Sequence, residues 1–201
     1  MSAESANIAR AQPEFRQTQK SPTPMPESRA EQAVLRLTLG VDPGTSGAIV
    51  VLADGEPVKL LDMPANDRLD IGREVNPVSL AAQLRGLSMQ YPGAHVMAAL
   101  EEVGGRHGEG SRSVFRFGES FGIVKGVLGA LGIGWVTVRP QAWKKHHGLI
   151  GTAKDAARIY AMQRFPRVAL SLKRKRDGGR ADALLIARWA WETEQHAELP
   201  L

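Results

Sequence analysis

The hydrophobic pattern divides the chain. Residues 1–33 are rich in Ser, Pro, Gln, Glu and Ala, carry three prolines in SPTPMPES, and build no apolar face at helical or strand spacing, so they read as a disordered tail. From Val34 the pattern changes. An apolar run over 34–41 is stopped by Asp42-Pro43-Gly44, a second covers 47–53 before the hairpin signal Asp54-Gly55, and a third covers 58–63, which together predict a three-strand antiparallel meander. Val78, Leu80, Ala81, Leu84 and Leu87 fall at helical spacing within 77–90, and Pro92-Gly93 closes that helix. A buried-type strand over 95–100 runs into Glu101 and Glu102. After a loop containing Gly104, Gly105, Gly108 and Gly110, a helix is predicted over 111–131, its glycines marking close approach of another helix. A fifth strand covers 135–138 and ends at Pro140, and Thr152 is placed to cap a helix running to Phe165. The last amphipathic helix, over 180–191, buries Ala183, Leu184, Ile186, Ala187 and Ala190, and a short tail covers 195–201. Periodicity alone therefore supports an α/β domain over 34–194.

Composition narrows the function classes. A chain of 201 residues with 43% hydrophobic content fits one domain with a tail. Cysteine is absent, which excludes disulfides and cysteine-ligated zinc. No apolar run approaches the length needed to span a bilayer, and the opening MSAESANIAR lacks the apolar core of a secretory signal, so a soluble cytoplasmic protein is expected. The net charge of +5 suits either a polyanionic partner or simple solubility. Its placement is more informative. Basic residues gather at Arg139, Lys144, Lys145, His146 and His147, and again at Lys173, Arg174, Lys175 and Arg176. The second run is either a solvated loop or a phosphate-facing strip. The adjacent histidines allow a metal role, but on a helix they would point apart and they read first as a solvated basic face. Trp143 reads as a core or dimer contact ahead of a base-stacking residue, and Trp189 and Trp191 as packing.

Three carboxylates sit at element ends. Asp42 ends the first strand, Glu101 ends the strand over 95–100, and Asp182 begins the last helix. Each alone has an ordinary reading: a turn residue, a strand-end glutamate, a helix-dipole partner. Together, two strand ends and one helix start can converge at a single sheet edge. Glu102 points the opposite way from Glu101 if the strand continues. Hard oxygen donors without cysteine point to Mg2+ or Mn2+, and two such ions can activate water and stabilise a leaving oxygen in phosphodiester cleavage.

The order of these segments resembles the RuvC-type Holliday-junction resolvases (crossover junction endodeoxyribonucleases). Gly40-Val41-Asp42-Pro43-Gly44 with Gly47-Ala48 is similar to their first motif, Ala99-Leu100-Glu101-Glu102-Val103 to their second, and Arg180-Ala181-Asp182-Ala183-Leu184-Leu185-Ile186-Ala187 to their last. The segment from Phe117 to Leu131 resembles the helix after their second motif, and Arg139-Pro140-Gln141-Ala142-Trp143-Lys144-Lys145 their basic segment, closest to the phage-borne branch. The resemblance implies an RNase H-like fold, with a mixed five-stranded sheet and helices on both faces. It implies a two-metal nuclease acting as a homodimer on four-way DNA junctions, in a bacterial or phage-infected cell. It casts Asp42, Glu101 and Asp182 as metal ligands, with Lys154 in a catalytic role. Lys144, Lys145, Lys154, Arg112, Arg116, Lys173, Arg174, Lys175 and Arg176 become the DNA-facing set. There are two departures. The family's fourth ligand, three residues before the last Asp, is Gly179 here, and Asp177 is the expected substitute. The loop after the glutamates, Val103-Gly104-Gly105-Arg106-His107-Gly108, carries no aromatic wedge.

Three rival readings remain. Gly40-Val41-Asp42-Pro43-Gly44-Thr45-Ser46 also looks like the first phosphate motif of sugar kinases and actin-like ATPases, but these need a second domain and a second phosphate hairpin, and Asp177-Gly178-Gly179 precedes only a helix. A non-catalytic junction binder is supported by the missing ligand at Gly179. Other RNase H-like nucleases, acting on branched DNA or RNA–DNA hybrids, share the chemistry and differ in substrate.

Overall fold

The computed structural model describes residues 34–69, 72–102 and 110–193. The two tails and most of the glycine-rich loop of the sequence reading lie outside the described residues. Strands β1 (Arg36–Asp42), β2 (Ala48–Ala53) and β3 (Glu56–Asp62) form the expected antiparallel meander. The β2–β3 hairpin turns through Asp54 and Gly55 at φ 44° and 85°, the left-handed pair that a two-residue turn requires. The interior of β1 is buried throughout, as a central strand covered on both faces should be, while β3 alternates toward solvent at the sheet edge.

A short hairpin, β4 (Ala65–Arg68) and β5 (Gly72–Val75), follows. No hydrophobic pattern announces it, because its strands are polar and cross-linked by charge, Arg68 to Glu74 and Arg73 to Asp67, instead of patterned by apolar residues. Helix α1 (Pro77–Gln90) has the expected boundaries. Asn76 Oδ1 accepts the Ser79 N–H at 2.9 Å, Pro77 supplies a first-turn position with no N–H to satisfy, and Leu80, Leu84 and Leu87 are buried. Burying each leucine stabilises the fold by about 1.5–3 kcal/mol relative to leaving it in water.

Strand β6 (His95–Glu101) pairs parallel with β1, and β7 (Gly134–Val138) pairs parallel with β6, across the crossover helix α2 (Ser111–Ala130). The sheet order is β3-β2-β1-β6-β7, the mixed five-stranded arrangement expected from the sequence. Then come α3 (Pro140–His146), α4 (Ala156–Arg164), 3-10 turns at Pro166–Leu172 and Lys175–Asp177, and α5 (Gly178–Glu192). Two start signals need correction. The α4 helix begins after Asp155, and Thr152 does not cap it; the Thr152 hydroxyl instead donates to Leu149 O at 2.8 Å. The basic segment after Pro140 forms a helix of its own, α3, only seven residues long.

Strand alternation sorts the core into two clusters. Leu37, Leu39 and Val41 of β1, with Ala98 and Leu100 of β6, pack with buried residues of α1 and α2. On the other face, Ala48, Val50 and Leu52 of β2 with Met97 and Ala99 of β6 pack against α5. Alternation therefore directs Asp42 and Glu101 to the α5 face, and Glu102 to the opposite one. α5 crosses β1 backbone to backbone at Gly40, where a Cβ would lie 2.0 Å from Ala183 O and 2.4 Å from Ala187 N. That approach delivers the N-terminal half of α5 to the end of β1.

Candidate functional site

The ends of β1 and β6 and the second turn of α5 meet at one edge of the sheet. Asp42 is half-buried, and its Oδ1 accepts the Gly44 N–H at 3.2 Å, folding the chain sharply into the β1–β2 turn. Burial, then the nearby Glu101 carboxylate, pushes the Asp42 pKa from 3.8 up to about 6, against the opposing pull of the Gly44 N–H. Asp182 is pushed further, to about 7, by burial and then by Asp42 and Glu101, while Lys144 draws it down. Asp42, Glu101 and Asp182 are thus near enough to resist one another's ionisation, as expected of carboxylates sharing a site. Glu101 Oε1 accepts the Trp143 indole N–H at 2.9 Å, and Glu102, on the other face, accepts from Arg139 Nε at 3.1 Å.

Asp42 and Asp182 open onto a cleft of about 1150 Å3. Its lining includes Lys144, Lys154, Lys175 and Arg176 from the expected basic set, and Thr45, Ser46, Thr152 and Asp155, which sequence reasoning missed. These polar residues belong to turns and carry no periodic signal. Arg158, also in the lining, bonds both Asp155 oxygens at 2.7 and 2.5 Å and donates to Leu172 O and Lys173 O, tying the basic loop to α4. Lys145 is exposed on α3 and, with Lys173, lies outside the cleft lining. Arg112 and Arg116 are on the first turns of α2, the latter beside Gly72 of the β4–β5 hairpin.

Asp177 is not brought together with the other three carboxylates. It is buried and held by Arg174, whose backbone N–H donates to Oδ2 at 2.8 Å and whose Nε and Nη2 donate to Oδ1 at 3.0 and 2.8 Å. The side-chain bonds from Arg174 outweigh burial and keep Asp177 below the ordinary aspartate range. The same clamp occupies Arg174. Nor is there room for a ligand at position 179: a Cβ there would lie 2.6 Å from Ser46 O and 3.2 Å from Asp42 Oδ2. The β1–β2 turn packs where a side chain would begin.

Of the sequence readings of α3, that of Trp143 as a core contact holds and that of the two histidines changes. Trp143 is fully buried, which removes it from base stacking. His146 and His147 are not a free basic face: His146 Nε2 donates to Glu192 Oε2 at 2.6 Å and His147 Nε2 to Leu185 O at 2.9 Å, both pinning α3 to α5. Burial holds His147 below the usual histidine pKa. With Glu192 the two offer ligand atoms within 4.8 Å of one another, a spacing accounted for by these bonds and the Arg188–Glu192 pair.

By chemistry the donor set at the sheet edge fits a hard divalent cation, although among the described residues it is His146, His147 and Glu192, and not Asp42, Glu101 and Asp182, whose ligand atoms lie within 4.8 Å of one another. The edge set consists of mutually repelling carboxylates, partly desolvated, with one lysine beside them.

No protein-family profile matches this chain. Over 84 residues, 41% of the chain, it is 37% identical to the chloroplastic Holliday junction resolvase MOC1 of Chlamydomonas reinhardtii. The matched stretch spans only about a tenth (10%) of that relative's length. Two solved structures superpose on most of the domain. Thermus thermophilus RuvC in complex with Holliday junction substrate gives a TM-score of 0.55 at 17% identity, covering 83% of this chain and 99% of that one. The T. thermophilus RuvC structure gives 0.51 at 18%, covering 82% and 99%. The fold is therefore RNase H-like, of the form those RuvC structures share. Among the described residues, no helix is long and apolar enough to cross a membrane.

Proposed function

We propose that this chain is a divalent-metal-dependent endonuclease that cuts DNA at four-way junctions and works as a homodimer. One observation carries the reading: Asp42 and Asp182, distant in sequence, line one basic cleft, and burial first, then charge repulsion within the set that includes Glu101, pushes both aspartates toward neutrality. Buried like charges are costly unless a cation joins them. The RNase H-like fold and the partial likeness to a junction resolvase point the same way.

In this reading Asp42, Glu101 and Asp182 hold Mg2+ or Mn2+, and Asp177 serves as a structural clamp instead of a ligand. Bound there, the cations supply activation of water and stabilisation of the departing oxygen. Lys144, beside Asp182, meets the scissile phosphate, and Lys154, which also lines the cleft, offsets charge that builds in the transition state. Lys175 and Arg176 hold flanking phosphates, drawing affinity from counterion release. The homodimer supplies two cutting sites for two scissile strands. It is supported by α2, where no described helix of this chain makes the close approach its glycines predict: Gly118, Gly122 and Gly126 have nothing within 4 Å of a Cβ position, and Phe115 is 72% exposed.

The test is purified protein with Mg2+, offered four-way junction, Y-fork, linear duplex and RNA–DNA hybrid in parallel. The junction should be cut first, and Asp182→Asn should bind it without cutting. Equal cutting of linear duplex would keep the nuclease and remove the junction. Thermal protection by ATP without salt-sensitive DNA binding would overturn both in favour of a phosphotransfer protein. The clamped Asp177 and the closed space at Gly179 favour a second reading, a junction binder without cleavage, whose signature is tight junction binding and intact strands with either ion.

A further inference from the structure

Trp143 is the bulkiest side chain that is fully buried among the described residues. A buried indole needs an acceptor for its N–H. The acceptor here is a carboxylate 42 positions away, at the tip of another element. The chain is built to reach it. Val138 ends β7 opposite Glu101, Pro140 opens α3, and one turn later Trp143 lies back against the end of β6. Arg139, immediately before, reaches Glu102 on the opposite face. One short segment thus sorts two neighbouring glutamates, and does so by chemistry. The cationic Arg139 offsets the charge of Glu102, while the N–H that Trp143 directs at Glu101 is neutral and orients that carboxylate without adding a positive charge to it. The face of the same ring carries Lys144, whose Nζ lies 5.1 Å from a ring centroid.

We propose that Trp143 is a positioning residue for the metal site: its indole N–H fixes the Glu101 carboxylate in the orientation that receives the cation, and its ring supports Lys144 at the cleft. The inference rests on the nuclease reading of Asp42, Glu101 and Asp182.

Trp143→Phe removes the N–H and keeps a ring for packing and for Lys144. Mn2+ binding without DNA, followed by electron paramagnetic resonance of the free ion, should weaken by roughly 10- to 100-fold, the usual consequence of losing a partner of a metal ligand. Circular dichroism reports whether the variant is folded. In a Glu101→Gln background the same substitution should cost almost nothing further, because its effect passes through that carboxylate. Unchanged Mn2+ affinity in folded Trp143→Phe, or an undiminished loss in the Glu101→Gln background, overturns the proposal. A second measurement leaves Trp143 intact. Its indole proton resonance should move on Mg2+ addition in the wild type and stay still in Glu101→Gln; equal movement in both also overturns it. Asp42→Asn and Asp182→Asn separate the two levels. If they bind Mn2+ normally, the site reading itself fails; if they do not and Trp143→Phe does, only the positioning role falls.

Discussion

Asp42 and Asp182 are acids that the fold keeps partly protonated near neutrality, at about 6 and about 7. An aspartate raised in this way contributes stability that is complete below its unfolded value near 3.8 and is lost as pH rises through the folded value. The metal-free protein should therefore melt at a lower temperature at pH 8 than at pH 5.5. Asp182→Asn should flatten that dependence and stabilise the protein at pH 8, by on the order of 2–4 kcal/mol at most. Mn2+ should restore wild-type stability at pH 8 and do little for the variant. Thermal scans in chelator and in Mn2+ measure all three, and a pH-independent difference between the two proteins would show that Asp182 is not charged at the cost described. At this scale the sequence was legible where a rule of geometry applied. Strand alternation alone separated Glu101 from Glu102. It could not show the Arg174 clamp on Asp177, which depends on an irregular 3-10 turn, or the acceptor of the buried Trp143, which lies across the fold.

Among the elements, α5 does most to assemble the site. It lies on β1 through Gly40, binds Asp62 at the end of β3 through both Arg180 Nε and Nη2 at 2.6 and 2.7 Å, and is held by α3 through His146 and His147. Gly40→Ala should push α5 off the sheet. A destabilisation of about 1–3 kcal/mol is expected, read as a melting temperature lower by several degrees, with weaker Mn2+ binding alongside. A variant as stable as wild type would mean that α5 can shift without cost. The helices and the meander were readable because their apolar positions repeat. The β4–β5 hairpin and α3 were not: one is held by charge pairs, the other is too short for a period to show.

For the whole molecule, the excess positive charge is organised around an acidic floor, with Lys144, Lys154, Lys175 and Arg176 lining one cleft. Junction affinity should fall steeply with salt, and Lys175→Ala should reduce the slope of log affinity against log salt by about one unit. Lys154→Ala should slow cleavage more than it weakens binding, whereas Lys145→Ala, outside the lining, should only weaken binding. Filter binding across a salt series with single-turnover cleavage separates these, and equal slopes in wild type and Lys175→Ala would remove that residue from the interface. Light scattering that finds only monomer while paired incisions persist would count against the homodimer.

The contact of α5 with β1 also has a meaning in time. Asp42 is made early, Glu101 later, and Asp182 roughly eighty residues after that. At 5–20 residues per second, synthesis of that last interval takes on the order of ten seconds. During it the α5 face of the sheet has no cover and the acidic edge lacks its third member. A nascent chain therefore carries no complete carboxylate set until α5 has docked. Pulse-labelled chains held on the ribosome before residue 178 should bind no Mn2+ at this edge, and chains released with α5 should gain binding and protease resistance in the same step.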